Sequence, residues 1–318
     1  MTTAIRMVGA EHRPSANLPC RRKFLASSVA AVATGALGST FGVAETTRAL
    51  SYPLGDFSVT ILSDGHLVLP SAFLARNASR HDLEEAMTIA GQGGERVNAP
   101  MNITLVDAGS GPHFMPSAGK LLENMEAAGI DPRSITQVVY THGHPDHLWG
   151  TLDDFEEEPN FPNASYVLSA AEWNLWMSGD VLTKIPGDRH NFAVGAARNL
   201  KRIKDKIRTV KPGENIATGL RAIDTAGHTQ GDIAIEIVSG SEAILVIGDA
   251  LAHPVIAFEH PDWRPAADHE PERAAATRKA LLSRLASDKT HIVGYHLPFP
   301  GIGFVERSGT AYRFSHIT

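Results

Sequence analysis

The sequence predicts a layered α/β fold in one domain, and three observations lead there. Short β-branched runs alternate with segments whose apolar residues recur at helical spacing. Hydrophobic residues fill 43% of the 318 positions and charged residues 20%, a balance that supports a sizeable core. No Pro/Gly/Ser-rich linker interrupts residues 45–318.

Residues 1–44 stand apart from that pattern. Arg21-Arg22-Lys23-Phe24-Leu25 precedes an uncharged stretch, Ala26 to Ala44, rich in Ala, Val, Gly and Ser. A basic start, a weakly apolar middle and small residues at the end describe an export signal. The paired arginines resemble a twin-arginine signal, so the twin-arginine machinery is the expected partner and the periplasm or exterior the expected location. Without this segment the chain carries 24 basic against 34 acidic side chains, a formal charge of −10. Such a surface repels phosphate backbones and argues against nucleic acid as a partner. The single cysteine, Cys20, also lies in the segment, so no thiolate remains as nucleophile or metal ligand.

From Tyr52 onward the elements follow in order. Phe57–Leu62 reads as a strand ending at the turn signal Ser63-Asp64-Gly65. Met101–Val106 reads as another, running into the glycine-rich loop Asp107-Ala108-Gly109-Ser110-Gly111. Ser117–Ala128 has helical spacing and stops at Gly129, and Ile135–Tyr140 is a β-branched strand. Leu220–Ile223, then Ile233–Val238 and Ala243–Ile247 around Ser239-Gly240-Ser241, predict a strand and a hairpin. Glu272–Leu285 is the clearest helix, followed by the strand His291–Val293.

The chemistry concentrates directly after the Ile135–Tyr140 strand, in His142-Gly143-His144-Pro145-Asp146-His147. Imidazole and carboxylate suit Zn²⁺ and related divalent ions, and so short a loop can direct several donors to one point. One histidine there would be an ordinary surface residue. Three histidines and an aspartate within six positions are hard to explain by packing, because buried neutral imidazoles need partners. A structural zinc site would be closed and rich in cysteine, which this chain cannot provide, so an open site is favoured.

His-x-His-x-Asp-His after a strand resembles the signature of the metallo-β-lactamase fold superfamily. That resemblance implies a four-layer αββα sandwich and three further ligands in order on later loops. The sequence has His228 in Thr225-Ala226-Gly227-His228-Thr229, Asp249 in Ile247-Gly248-Asp249-Ala250, and His296 after Gly294-Tyr295. Leu54-Gly55-Asp56-Phe57 with Ser63-Asp64-Gly65, and His296-Leu297-Pro298-Phe299-Pro300-Gly301-Ile302-Gly303, look like the branch of methyl parathion hydrolase and the acyl-homoserine-lactone lactonases.

By this resemblance His142, His144 and His228 hold one divalent cation. Asp146, His147 and His296 hold a second, Asp249 bridges, and Asp146 and Asp249 are the catalytic candidates. Zinc is the first expectation, with manganese, iron or cobalt compatible. Two cations about 3.5–4 Å apart can share a hydroxide and lower its pKa toward neutrality. The implied activity is hydrolysis of lactones, aryl esters or organophosphate triesters, and the branch also allows a homodimer.

Asp107 has two readings, a plain turn residue or the carboxylate that relatives place behind a metal-bound histidine. Phe114, Trp176 and Phe192 fall near positions that line the pocket of the branch, as expected for a hydrophobic substrate. Trp173 and Trp176 share a helix face, with core packing the plainer reading for Trp173, and Trp149 reads as packing beneath the site. Two departures stand out. Asn98–Asp107 has room for one strand where relatives place two, and Asp232 follows Gly231 where many relatives repeat a histidine. Two alternatives stay open: an iron-dependent oxidoreductase of the same fold, resembling persulfide dioxygenases, and a non-catalytic periplasmic metal-binding protein. β-Lactam hydrolysis fits less well, because Asp146 followed by His147 with Asp249 resembles lactonases and phosphotriesterases.

Overall fold

The computed structural model describes residues 49–104 and 106–317. The export segment expected over 1–44, with Cys20, lies outside the described residues. The chain opens with a three-stranded antiparallel sheet of β1 (Ala49–Leu54), β2 (Phe57–Pro70) and β3 (Arg96–Ile103). A short parallel sheet follows, β4 (Gln137–Val139), β5 (Ser165–Ser169) and β6 (Ile207–Val210). The two pieces are joined by a parallel bridge between Val106 and Val139.

The second half is one seven-stranded sheet. It comprises β7 (Asn215–Ala217), β8 (Leu220–Asp224), β9 (Ile233–Ser239), β10 (Glu242–Val246), β11 (His291–Val293), β12 (Ile302–Ser308) and β13 (Ala311–His316), in the order β13-β12-β11-β10-β9-β8-β7. Only β10 and β11 run parallel. The connection between them carries the longest helix.

The helices are α1 (Arg80–Ile89), α2 (Leu121–Ala127), α3 (Pro145–Leu148), α4 (Ala170–Trp176), α5 (Val181–Lys184), α6 (His190–Ile203), α7 (Ile256–Glu259) and α8 (Pro271–Asp288). With α7 and α8 packed on the seven-stranded sheet, α2 and α4 on the first-half strands and α6 against α3 and α4, the layers form an αββα sandwich. The main core lies between the sheets, where Ile61, Met101, Tyr140, Tyr166, Ile233 and Ile235 are fully buried. Each such side chain contributes roughly 1.5–3 kcal/mol by leaving water. A second cluster, with Leu245, Leu282, Leu285 and Ile292, fills the space beneath α8.

Three local expectations change. Ser63-Asp64-Gly65 does not end the first strand, because β2 continues to Pro70 through a register shift between Ser63 and His66. Asp64 is fully buried rather than a turn residue: its carboxylate accepts hydrogen bonds from the Ser110 N–H at 2.8 Å and the Leu121 N–H at 2.7 Å. The next strand spans Arg96–Ile103 instead of Met101–Val106, and it tolerates Pro100 because that residue pairs with His66 where the ladder is already irregular. The helix expected over Ser117–Ala128 begins at Leu121. Among its described residues the segment Asn98–Asp107 holds a single strand, and beyond it Val106 bridges to Val139.

Candidate metal centre

β4 ends beneath the loop carrying His142 and His144, and Pro145 opens α3, so Asp146 and His147 ride on its single turn. Proline suits a first helical position, where no N–H partner is needed. His228 lies on the loop from β8 to β9, Asp249 just after β10 and His296 just after β11. These loops bring all seven side chains together, and all are buried.

The spacing of the donor atoms is the decisive measurement. His144 Nδ1 lies 3.0 Å from His142 Nε2 and 2.9 Å from His228 Nε2. His147 Nε2 is 3.5 Å from Asp146 Oδ2 and 3.2 Å from Asp249 Oδ1. His296 Nε2 is 3.3 Å from Asp146 Oδ2 and 3.4 Å from Asp249 Oδ2, which is in turn 3.3 Å from His228 Nε2. Donors bonded about 2.0–2.1 Å from one tetrahedral cation stand about 3.3 Å apart, so this spacing suits divalent ions. Among the described residues His147 Nε2 and Asp249 Oδ1 are buried without a hydrogen-bond partner, as expected of atoms that face a cation. The donor set therefore fits two divalent cations, with Asp249 touching both clusters.

The far side of each ring is held too. Asp107 Oδ2 lies 2.7 Å from His147 Nδ1, and Asp107 Oδ1 accepts the Thr141 N–H at 2.7 Å. Asp107 adopts a left-handed φ of 76°, unusual outside glycine, and this strained backbone aims its carboxylate at the ring. Asp268 Oδ1 stands 3.0 Å from His228 Nδ1, and His296 Nδ1 donates to the Pro100 carbonyl at 2.7 Å. His142 Nδ1 is 3.0 Å from the Thr141 hydroxyl and 3.4 Å from Asp232 Oδ1. His144 differs: its Nε2 meets His269 Nε2 at 3.1 Å. Partners of this kind settle which ring nitrogen carries the proton and which is offered to a metal.

Charge divides the histidines, though not by cluster, since Asp249 and Asp268 outweigh burial and raise His228 above its ordinary range. Burial, then the neighbouring imidazoles, holds His142 and His144 well below the usual histidine range. Burial also opposes charge on His147, but Asp107, Asp249 and Asp146 outweigh it and raise His147 well above that range. Asp249 is buried yet held well below the carboxylate range by His296, His147 and His228.

One structural link escaped sequence reasoning. Glu172 on α4, fully buried, accepts the Gly143 N–H at 2.9 Å, the Gly231 N–H at 3.0 Å and the Trp176 indole N–H at 2.6 Å. It ties the His142–His147 loop to the loop of His228. No spacing pattern signals this residue, or Asp268, or His269, because the contacts to Gly143, Gly231, His228 and His144 join distant parts of the chain.

Five of the donors, His144, Asp146, His228, Asp249 and His296, form one wall of a cavity of about 320 Å³. Leu67, Leu69, Phe114, Phe192, Ile256 and Trp263 contribute to the opposing, largely apolar wall. Phe114 and Phe192 meet edge to face, with centroids 6.2 Å apart. Trp176 does not line this cavity: it is 1% exposed, its N–H is taken by Glu172, and its ring lies against Gly143, where a Cβ would come within 2.3 Å of the indole nitrogen. Trp149 packs against Phe114 and Phe192 from outside the cavity, and Trp173 lies partly buried against the main core.

An αββα sandwich with His/Asp clusters on its strand-end loops defines a class of metal-binding hydrolase folds. The family model of the metallo-beta-lactamase superfamily matches residues 100–296, and the chain belongs to that superfamily. It is 27% identical over 197 residues to metallo-beta-lactamase domain-containing protein 1 of Xenopus laevis, covering 60% of this chain and 69% of that protein. The solved structure of the hydrolase AbOPH of the beta-lactamase superfamily superposes with a TM-score of 0.79 at 27% identity, over 86% of this chain and 99% of that one. AidC, a dizinc quorum-quenching lactonase in complex with the product N-hexanoyl-L-homoserine, gives a TM-score of 0.79 at 25% identity, over 85% and 97%. These neighbours support a hydrolase.

Proposed function

We propose that the chain is a dinuclear metal-dependent hydrolase of small apolar esters, lactones or phosphotriesters. The observation that carries this reading is the union of two donor clusters and a mostly apolar cavity of about 320 Å³ on one face. A site of this size and lining suits a substrate with an apolar body and one polar, reacting group.

His142, His144 and His228 would hold one cation, and Asp146, His147 and His296 the other, with Asp249 shared. Bound there, the two cations would activate a water near neutral pH and polarise the scissile carbonyl or phosphoryl oxygen. The chain's own part is positional. Asp107, Asp268 and the Pro100 carbonyl hold three of the rings in the orientation and tautomer that a metal needs. Phe114 and Phe192 exclude water beside the reacting group and face the apolar portion of the substrate. Export through the twin-arginine pathway belongs to the same proposal and is supported by the sequence alone, Arg21-Arg22-Lys23-Phe24-Leu25 followed by the uncharged stretch Ala26 to Ala44.

The test is a substrate panel of acyl-homoserine lactones, dihydrocoumarin, aryl acetates and paraoxon on zinc-reconstituted protein. Turnover of at least one class is expected, abolished by chelation and by His144→Ala. Protein that holds two zinc ions and cleaves none of these refutes the reading.

A further inference from the structure

Every polar group on the cavity wall except one has an assignment. The five cluster donors face the cation positions. Asp268 holds His228 and lies 3.4 Å from the Arg278 guanidinium, which also donates to the Pro261 and Trp263 carbonyls. The Arg189 guanidinium donates to the Ala266 and Ala267 carbonyls. His253 remains, four residues beyond Asp249, 5% exposed and part of the cavity wall.

Its tautomer follows from its surroundings. Nδ1 accepts the Val255 N–H at 3.2 Å and the Ile256 N–H at 3.1 Å, so Nδ1 carries a lone pair and the proton of the neutral ring sits on Nε2. That Nε2–H is buried and has no hydrogen-bond partner among the described residues. A stranded buried donor is costly, and folded proteins keep few of them without a use. The same tautomer excludes a third metal site, because a protonated nitrogen offers a cation no lone pair. What suits it is an acceptor oxygen brought in by a ligand that shifts the atoms now covering it, since Nε2 is itself closed off from water.

We propose that His253 is a substrate-binding residue whose Nε2–H donates a hydrogen bond to an acyl or phosphoryl oxygen of the bound substrate. The assignment rests on the hydrolytic reading for the identity of that oxygen. The ring is well prepared for such a contact, since two backbone N–H groups lock its orientation and the apolar wall leaves the incoming oxygen few competing donors.

The experiment compares zinc-loaded wild type, His253→Leu and His253→Gln by zinc content, turnover of phenyl hexanoate and calorimetric binding of hexanoate. His253→Leu is expected to lower kcat/KM and hexanoate affinity by about tenfold to a hundredfold with zinc content unchanged. His253→Gln, which keeps an N–H donor, is expected to recover most of the loss. A leucine variant that binds and turns over like wild type overturns the proposal, and so does one that loses zinc, since the role would then be structural. Wild type that cleaves no ester, but binds hexanoate in a His253-dependent way, removes the hydrolytic reading and leaves the donor in place. Wild type that neither binds nor cleaves removes both.

Discussion

Glu172→Gln probes how the two halves of the first cation cluster are held together. Glu172 Oε1 accepts the Gly231 N–H, while Oε2 accepts both the Gly143 and Trp176 N–H groups. A glutamine has one oxygen, so whichever way its amide turns, its NH₂ must confront at least one buried N–H. A stranded buried donor costs about 1–3 kcal/mol, and the other two bonds lose their charge assistance. Against this, the variant no longer buries a carboxylate, whose burial already raises the Glu172 pKa. The balance is a loss of about 2 kcal/mol. The functional consequence is larger than that figure suggests. Gly143 lies between His142 and His144, and Gly231 is three residues beyond His228, so slack at either glycine displaces ligands of the same cation. A tenfold to hundredfold weakening of one zinc site is expected, on the scale seen when groups that orient metal ligands are removed, with the Asp146–His147–His296 site nearly unchanged. Chelator-competition titration with zinc resolves the two affinities, and guanidinium unfolding of the chelated protein reads the stability. Two affinities within twofold of wild type and an unshifted unfolding midpoint would show that Glu172 does not act as a tie.

Three further outcomes follow from the same geometry. Asp268→Asn should weaken the cation at His228, and Asp107→Asn the cation at His147, each by about tenfold to a hundredfold in a zinc titration; identical effects from both would contradict separate partners. Ala267→Phe, which places a ring in the cavity, should depress kcat/KM for phenyl hexanoate far more than for phenyl acetate, and equal losses would move the acyl group elsewhere. Burial, with the charge of His296, lowers the His253 pKa to about 4, whereas the unfolded chain takes up that proton near 6.5. Between those values the unfolded state binds more protons, so the contribution of His253 is complete above pH 6.5 and is lost as pH falls toward 4, by about 3 kcal/mol in all. Unfolding of wild type against His253→Gln from pH 7.5 to 4.5 should show a steeper decline in wild type, and parallel curves would contradict the shift.

The His142–His147 cluster was legible because its spacing is local: a strand end, one glycine and one helical turn suffice to gather four donors. His228, Asp249 and His296 were legible only as an ordered set. They converge because β8 and β9 are antiparallel neighbours, while β10 and β11 run parallel and release Asp249 and His296 at the same end of the sheet. Phe114 and Phe192 reach the cavity, but Trp176 turns into the core. Helical spacing says which residues share a face and nothing about which layer that face meets. Ser63-Asp64-Gly65 reads as a turn in any sequence, and only the approach of Ser110 and Leu121 makes Asp64 a buried anchor.

The order of residues was enough to single out the four donors of the His142–His147 cluster, since few side chains bind divalent ions and a short loop after a strand leaves their arrangement little freedom; His228, Asp249 and His296 were named through the family resemblance. Of what stands behind the rings, only Asp107 was a candidate in the sequence, and packing decided that it meets His147; Asp268 behind His228, a carbonyl behind His296 and another imidazole behind His144 came from packing alone. Packing also left His253, a residue of the cavity wall, with a buried N–H that has no partner among the described residues. Those contacts join segments that meet only when the sheets come together, and nothing in the local order of residues records which buried group will find which partner.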